Sequence, residues 1–225
     1  MAVITSTLDD FISFVNTLYN FSSSAPSSGD EDYIVWTALA NVAVNTWEHD
    51  DGMLWGQLFV KVQDAPDGDK TTDGGTSYDC PTLFRFPASG YVWLGTGTNK
   101  TPYKVIKPQE AQLREIDSEH WCYFLNDATP TLEFNPNLTI ASGLTIHYNY
   151  YKKATKLTTG SSTFEMSDPM YAVYYALSEL KKEEGNAGEL NMASEKLKAM
   201  EDSNEMPAWY QADQLIDKQT AGFGV

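Results

Sequence analysis

Residues 167–200 have the sequence pattern of two helices joined by a glycine turn. Asp168 suits the N-cap of the first helix, and Pro169 suits its first turn, where the missing N–H of proline costs nothing. Gly185 suits the left-handed residue that follows a helix. Each helix has one apolar stripe at helical spacing. The stripes consist of Met170, Val173, Tyr174, Leu177 and Leu180, and of Leu190, Ala193, Leu197 and Met200. Because both stripes must be buried, the rest of the chain is expected to supply further helices.

Two helices are predicted near the N-terminus. Thr7 is suited to cap the first, with Asp9 and Asp10 in its first turn. The stripe of this helix consists of Leu8, Phe11, Ile12, Val15 and Leu18. After the Ser/Pro/Gly-rich linker 22–32, residues 33–49 are apolar on almost every side of a second helix. Such a helix is expected to be buried on more than one side, the second side being covered by a neighbouring subunit.

The middle of the chain has the pattern of short strands. Each candidate is rich in β-branched or aromatic residues and is bounded by Gly, Pro, Asn or Asp. The predicted strands are 91–94, 103–106, 121–125, 132–134 and 144–151. The last alternates most clearly, with Leu144, Ile146, Tyr148 and Tyr150 on one face. The spacing leaves no room for βαβ crossovers, which favours an antiparallel sandwich or a small barrel.

These elements predict an α+β protein, in which N- and C-terminal helices form a helical bundle that carries an inserted antiparallel β-sandwich or small barrel. The predicted boundaries are 1–62 for the N-terminal helices, 63–165 for the β region and 166–225 for the C-terminal part. That last part comprises the helical hairpin, a short helix at 207–218 and a flexible tail.

The charge of the chain excludes some functions. Of 225 residues, 31 are acidic and 15 basic, giving a net charge of −16. Such a chain repels phosphate, so it is not expected to read or clamp nucleic acid, although DNA could pass it without adhering.

Cysteine content and hydropathy bear on the compartment. Cys80 and Cys122 are too few for a disulfide framework, and two free thiols in a reducing cytosol are favoured over one bridge. The first residues lack a signal-peptide pattern, and no window is apolar enough to span a bilayer. The chain is therefore expected to be made in a cytoplasm and to stay soluble.

Three polar motifs contain residue types that can bind a metal ion or a phosphate group. Residues 48–51 (E-H-D-D) could bind a cation, but consecutive helical residues do not face one another, so a solvated helix end is favoured. The D-G-D of 67–69 with Asp73 resembles part of a calcium loop without its bidentate glutamate, so a mobile surface loop is favoured. The L-G-T-G-T-N-K of 94–100 lacks the spacing of a phosphate loop and predicts a hairpin turn.

No catalytic, cofactor or metal residues are predicted. His120 and His147 have no Ser or Cys nucleophile motif nearby, so both are expected to be ordinary strand residues. A hydrolase with paired carboxylates has no supporting motif. The many Tyr and Trp residues leave open a glycan-binding platform as an alternative to core and interface positions.

The order of four motifs resembles the head-to-tail connector proteins of tailed bacteriophages. The motifs are W-C-Y-F-L-N at 121–126, L-E-F-N-P at 132–136, S-G-L-T-I-H-Y-N-Y-Y-K-K-A-T-K-L-T at 142–158, and S-D-P-M-Y-A-V-Y-Y-A-L-S-E-L at 167–180. The N-terminal helix and the W-E-x-x-x-G-x-L-W pattern of 47–55 extend the resemblance. The long β region is more similar to gatekeeper-type connectors than to the small all-helical adaptors.

The resemblance implies a non-enzymatic virion protein of the neck without a cofactor. Connectors of this kind form rings, commonly of twelve copies, below the portal protein, bind the next neck or tail protein, and let DNA pass through a channel without specific binding. No membrane contact is implied. The C-terminal tail would order on the portal, with Trp209, Tyr210 and Phe223 as the expected contact residues. A glycan-binding accessory or decoration protein of the virion is the alternative.

Overall fold

The structure is a computed structural model that describes residues 6–65, 70–114 and 118–204. The chain divides into two compact units. Among the described residues, the first unit comprises 6–57 and 154–204, and the second comprises 58–65, 70–114 and 118–153. The chain therefore leaves the first unit, forms the second and then returns.

The protein is mixed α+β, as predicted. The helices are α1 (Leu8–Tyr19), α2 (Glu31–Glu48), α3 (Pro108–Leu113), α4 (Met170–Leu180) and α5 (Ala187–Ser203), with short 3-10 turns at Asp50–Gly52, Gly56–Leu58 and Val62–Asp64. The strands are β1 (Phe59–Lys61), β2 (Ser77–Asp79), β3 (Phe84–Pro87), β4 (Tyr91–Thr96), β5 (Asn99–Val105), β6 (Trp121–Leu125), β7 (Thr131–Phe134), β8 (Thr145–His147) and β9 (Asn149–Lys152).

Helix α1 begins where the sequence predicts. The Thr7 hydroxyl accepts a hydrogen bond from the Asp10 N–H at 3.2 Å, and the Asp10 carboxylate accepts one from the Thr7 N–H at 2.9 Å. This reciprocal capping box satisfies two of the N–H groups that a helix start leaves without partners. The predicted stripe is buried at Leu8, Phe11, Ile12 and Val15.

Helix α4 is the central helix of the first unit, because α1, α2 and α5 all pack against it. Val173 and Leu177 of its predicted stripe are buried, but burial extends around the helix to Tyr171, Ala172, Ala176 and Ser178. The alanines let neighbouring helices approach closely. Helix α4 is therefore buried on more than one side by its own chain, whereas the prediction gave it a single apolar stripe.

The α4–α5 hairpin has the predicted turn. Gly185 has a φ of +105°, and its N–H donates to the Lys181 carbonyl at 3.0 Å. At the start of α4, the Asp168 carboxylate accepts from the Met170 N–H at 3.1 Å and lies 3.0 Å from the Lys196 Nζ of α5. The N-cap of α4 is Pro169, without a side-chain cap, so the predicted N-cap at Asp168 is wrong by one residue. Asp168 precedes the cap and links the two helices of the hairpin through Lys196.

The prediction of a helical bundle with an inserted sandwich or small barrel is wrong in its detail. The second unit has one six-stranded sheet, curled as a half-barrel in the order β2-β7-β6-β5-β4-β8, and one three-stranded sheet in the order β1-β9-β3. Strands β5 and β6 are parallel, since the chain between them crosses over through α3. This crossover breaks the run of antiparallel hairpins on which the prediction rested.

The predicted strand 144–151 is two strands that belong to different sheets. β8 pairs with β4 in the half-barrel, and β9 pairs with β1 and β3 in the smaller sheet. The chain passes from one sheet to the other at Tyr148, which is buried in the core of the unit. The core includes Val92, Leu94, Cys122, Leu132, Phe134, Ile146 and Tyr150.

The segment 70–79 bonds with one edge strand of the half-barrel, β8, and itself forms the other edge strand, β2. The Thr72 N–H donates to the Leu144 carbonyl at 2.8 Å, and the Ile146 N–H donates to the Lys70 carbonyl at 2.9 Å. A few residues later the same segment forms β2 and pairs with β7. Backbone groups at the β8 edge are thereby satisfied, which removes one template for pairing with other chains.

Candidate functional site

In the E-H-D-D segment at 48–51, contacts within the fold hold the side chains of Glu48 and His49. Glu48 is buried, and its Oε2 accepts a hydrogen bond from the Ala154 N–H at 2.9 Å. The His49 Nδ1 lies 2.9 Å from the Asn45 carbonyl oxygen. Within the described ranges, no group of three or more His, Cys, Asp or Glu side chains could hold a metal ion.

The D-G-D of 67–69 lies outside the described residues. Its expected companion Asp73 uses its carboxylate locally, accepting from the Gly75 N–H at 2.9 Å. The L-G-T-G-T-N-K segment is the predicted hairpin turn, since β4 and β5 pair up to Thr96 and Asn99 and Gly97 has a φ of +59°.

His120 and His147 both contact neighbouring side chains of the second unit; His147 lies on β8, whereas His120 lies just before β6 and outside a strand. The His147 Nδ1 lies 2.7 Å from the Gln63 side-chain amide, and its Nε2 lies 3.3 Å from the Gly95 carbonyl oxygen. The His120 ring lies edge-on to the Tyr103 ring, with centroids 4.9 Å apart. Neither arrangement places a nucleophile beside the imidazole.

Cys80 and Cys122 are both free and buried. Burial raises the pKa of the Cys80 thiol to about 12, and burial raises the pKa of the Cys122 thiol as well. Both are therefore protonated at neutral pH and unreactive, because the thiolate is the nucleophilic form.

A pocket of about 440 Å³ lies between α1, the segment 25–28 and the start of α2. Its charged lining residue is Asp9, whose Oδ1 accepts from the Tyr33 hydroxyl at 3.1 Å. Burial, followed by the hydrogen bond to Asp9, raises the pKa of Tyr33. Because its pKa is raised, the Tyr33 hydroxyl stays protonated at neutral pH, so its pairing with Asp9 does not define a reaction.

The most informative surface of the first unit is an exposed apolar stripe on α2. We call Ile34, Val35, Ala38 and Val42 the α2 stripe; all four are exposed, with Ile34 at 59% and Val42 at 47%. They share one side of the helix, because residues three, four and seven apart are neighbours there. The opposite side is buried at Tyr33, Trp36, Ala40, Ala43, Val44 and Trp47. The helix is thus apolar on both sides, while the described residues of the chain cover only one.

A second exposed apolar surface lies on α1 and the turn after it. We call Phe14, Leu18 and Phe21 the Phe21 knob. Phe14 and Leu18 are exposed one turn apart on α1, and Phe21 follows the helix with 89% of its surface exposed. Phe21 has a φ of +51°, a left-handed conformation that costs energy for a residue with a Cβ.

Buried Asn16 holds the turn that presents Phe21. Its Nδ2 donates to the Ser22 carbonyl at 2.7 Å and to the Ser24 carbonyl at 3.1 Å, while its Oδ1 accepts from the Asn20 side chain at 3.1 Å. One buried side chain therefore makes three hydrogen bonds around Phe21. The exposed phenyl ring is part of a fixed turn.

Both surfaces lie in uncharged parts of an acidic chain. No Asp, Glu, Lys or Arg occurs in residues 11–29, nor in 33–47, although the net charge is −16. The sequence prediction found the apolar character of 33–49 but missed the Phe21 knob. The signal that could have found it is the charge-free run around an aromatic residue in a serine-rich turn.

The predicted partner-contact residues Trp209, Tyr210 and Phe223, and the predicted helix at 207–218, lie outside the described residues. They stay predictions.

Many of the described aromatic residues are core residues. On the half-barrel, exposed Tyr91 and partly buried Trp93 form a neighbouring pair. Tyr91 is 46% exposed, and its ring centroid lies 6.1 Å from that of Trp93 on the same face of β4. Trp93 is partly buried between Pro102 on β5 and His147 on β8.

None of the described helices is long and apolar enough to cross a bilayer. No protein-family model matches the chain, and no curated protein sequence matches it.

Proposed function

We propose that this protein is a structural component of a tailed-bacteriophage neck. Copies assemble into a ring below the portal protein, join head to tail within the virion, and let DNA pass through the central channel. The observation that carries the proposal is the α2 stripe, an apolar helix side that residues 6–65, 70–114 and 118–204 leave uncovered. Exposed apolar surface of this kind marks association with another protein surface.

The charge of the chain supports a conduit for DNA. A wall with many carboxylates repels phosphate groups, so DNA moving along it is not retained. The same charge opposes association of the copies, and apolar contact has to outweigh that repulsion. The motifs between Trp121 and Leu180 that resemble phage connectors add a third line of support.

The proposed partners follow from this function. The portal binds the ring on one side, with Trp209, Tyr210 and Phe223 as contact residues, and the next neck or tail protein binds on the other. No cofactor or catalytic step is needed.

The test is assembly on the portal protein encoded by the same genome. The purified chain is mixed with portal, and the complexes are weighed by native mass spectrometry and imaged by negative-stain electron microscopy. We expect a ring with a central opening, commonly of twelve subunits in connectors, and no retention of duplex DNA in a gel-shift assay. A chain that stays monomeric with portal present contradicts the proposal.

A glycan-binding accessory protein of the virion is the second candidate, and the Tyr91–Trp93 pair favours it. Adjacent aromatic rings on a sheet surface can stack on sugar rings. Binding to a polysaccharide array that is lost in Tyr91→Ala and retained in Leu113→Ala, an exposed control on α3, would support this function. Absence of binding on the array would remove it.

A further inference from the structure

We propose that the Phe21 knob of one copy packs against the α2 stripe of the next copy, and that this contact joins neighbouring subunits. The inference rests on the proposed ring and assigns the two surfaces that meet in it. The observation behind it is that one chain carries both an exposed aromatic turn, the Phe21 knob, and a separate exposed apolar helix side, the α2 stripe.

The turn that carries the Phe21 knob is preorganised in the free protein. Asn16 holds the turn through the carbonyl groups of Ser22 and Ser24, so the backbone position of Phe21 is set in the free protein. A group held in its bound position loses little conformational entropy on association. Aromatic side chains placed in this way supply much of the energy of protein interfaces.

The α2 stripe has a shape that suits an aromatic ring. Ile34, Ala38 and Val42 follow one another at intervals of four residues, which is the direction of a ridge on a helix surface. The methyl group of Ala38 is smaller than the two branched neighbours, so the ridge dips at its centre. A phenyl ring placed over Ala38 contacts the side chains of Ile34 and Val42.

Charge identifies the occupant as a second copy of this chain. Two molecules of net charge −16 repel one another over most of their surfaces. Residues 11–29 and 33–47 contain no charged side chain, and these ranges carry the two surfaces. The nearest acidic residues on the same helix sides are Asp10, one turn before Phe14, and Glu31, one turn before Val35. Copies that meet over the rest of these two surfaces bring no further charged side chain of α1 or α2 into contact, whereas a basic partner would be drawn to the acidic parts of the molecule.

The contact is head-to-tail because its two halves are different surfaces. Each copy keeps one free knob and one free stripe after the first contact forms. Repetition of such a heterologous contact closes into a ring when the rotation between copies allows it. A knob-to-knob contact would instead stop at a dimer.

The first test removes each surface separately in the full-length chain. Phe21→Asn deletes the ring while keeping a residue that tolerates the left-handed conformation, and Ala38→Glu places a charge in the stripe with a good helix former. We expect either change to abolish ring formation with portal present. Leu113→Glu is the matched control, since Leu113 is 87% exposed on α3, and it is expected to leave the rings intact. Circular dichroism checks that every variant is folded.

The second test establishes direction by cross-linking. Phe14→Cys places a thiol within the Phe21 knob and Val35→Cys places one within the α2 stripe, while the native thiols are buried. A bis-maleimide is expected to cross-link a mixture of the two variants into dimers of twice the 25.1 kDa chain mass, and to leave either variant alone as monomers. Adding Phe21→Asn to the Phe14→Cys chain is expected to abolish the dimers.

The outcomes separate this inference from the proposed function. Rings that persist in both Phe21→Asn and Ala38→Glu overturn the inference and leave the ring proposal standing. Cross-linking of Phe14→Cys to itself, or none in the mixture, also overturns it. A wild-type chain that stays monomeric with portal present overturns the proposed function, and this inference with it.

Discussion

Asn16 shows how one buried polar side chain determines an exposed one. It lies on α1 among apolar neighbours, yet it satisfies its amide through three hydrogen bonds to the turn that contains Phe21. Buried polar groups are costly unless they are fully bonded, so the amide favours one conformation of the turn. The energy of that network offsets the left-handed backbone of Phe21.

Replacing Asn16 with alanine is expected to lower the free energy of unfolding by about 1–3 kcal/mol, because the Ser22 carbonyl loses its partner and a small cavity forms. Urea denaturation measures the change. Asn45→Ala serves as the control, since Asn45 is exposed on α2, and surface changes of this kind stay within about 0.5 kcal/mol. Equal stability of the two variants would refute the role given to Asn16.

Gly95 is required by close packing of the β4–β5 hairpin. A Cβ at this position would lie 2.0 Å from the Asn99 carbonyl oxygen, and the nearest atoms are backbone. Gly95→Ala is therefore expected to destabilise the protein by more than about 3 kcal/mol or to prevent folding, because backbone must move. At Gly97 a Cβ meets nothing within 4 Å, so Gly97→Ala is expected to cost only about 1 kcal/mol from its positive φ. Thermal denaturation compares the two, and a smaller loss for Gly95→Ala would contradict the geometry.

The buried thiols predict a loss of stability in alkali. In the folded state the pKa of Cys80 is raised to about 12 and that of Cys122 is also raised, so both stay protonated. In the unfolded chain a thiol ionises above about pH 8.5. The unfolded state then binds fewer protons, so the free energy of unfolding falls as the pH rises, by about 1.4 kcal/mol per thiol at about pH 9.5.

Urea midpoints at neutral pH and at about pH 9.5 measure this loss. Unfolded tyrosine, with a pKa of about 10, also begins to ionise there, so the contribution of Cys80 is the difference between the wild type and Cys80→Ala. Cys80→Ala is expected to lose less stability between the two pH values than the wild type, whatever its stability at neutral pH. An unchanged pH dependence in that variant would show that Cys80 does not contribute.

Helix α2 organises the return of the chain from the second unit. Asn41 donates from Nδ2 to the Leu157 carbonyl at 3.0 Å and accepts at Oδ1 from the Leu157 N–H at 2.9 Å. About two helical turns further on, the Glu48 carboxylate accepts from the Ala154 N–H. Two side chains of α2 thus replace the strand partner that an extended segment would otherwise need.

Asn41→Ala is expected to cost about 1–3 kcal/mol, because both backbone groups of Leu157 lose their partner on a buried residue. Asn41→Asp is the informative companion, since an aspartate can accept from the N–H but cannot donate to the carbonyl. It is expected to destabilise the protein as well. Hydrogen exchange of the Leu157 amide should accelerate in Asn41→Ala, and an unchanged rate would contradict the assignment.

Local signals predicted those elements whose sequence pattern and packing agree. The capping box at Thr7, the turn at Gly185 and the strand β6 all follow from residues next to one another in the chain. The division of 144–151 into two strands did not, because the alternation continues through Tyr148 while the hydrogen-bonding partners change. Helix α3 was missed, since six residues with one buried alanine give no stripe.

Of the two surfaces of the candidate site, the sequence predicted the apolar helix but not the Phe21 knob. An apolar helix at 33–49 is visible in the sequence, but which of its sides the chain covers depends on where α4 packs. The Phe21 knob depends on bonds from Asn16 to a loop with no pattern of its own.

At the scale of the whole molecule, net charge and apolar surface oppose one another in assembly. Added salt screens the repulsion between copies, since the Debye length falls from about 30 Å at 0.01 M to about 3 Å at 1 M. Apolar contacts are not weakened by this screening. Raising the NaCl concentration is therefore expected to increase the proportion of rings, measured by light scattering after size exclusion. Dissociation at high salt would show that ion pairs hold the copies together, against the apolar contact proposed above.

The discontinuous first unit has a consequence for synthesis. Helices α1 and α2 leave the ribosome long before α4, because the whole of the second unit is translated between them. At about 5–20 residues per second, the delay is on the order of ten seconds. During that interval nascent α2 exposes its future core side together with the α2 stripe, so ribosomes crowded on one message bring such helices together before they can fold. Trigger-type chaperones that shield emerging apolar segments should therefore raise the yield of this protein more than they raise that of its residues 58–153 expressed alone.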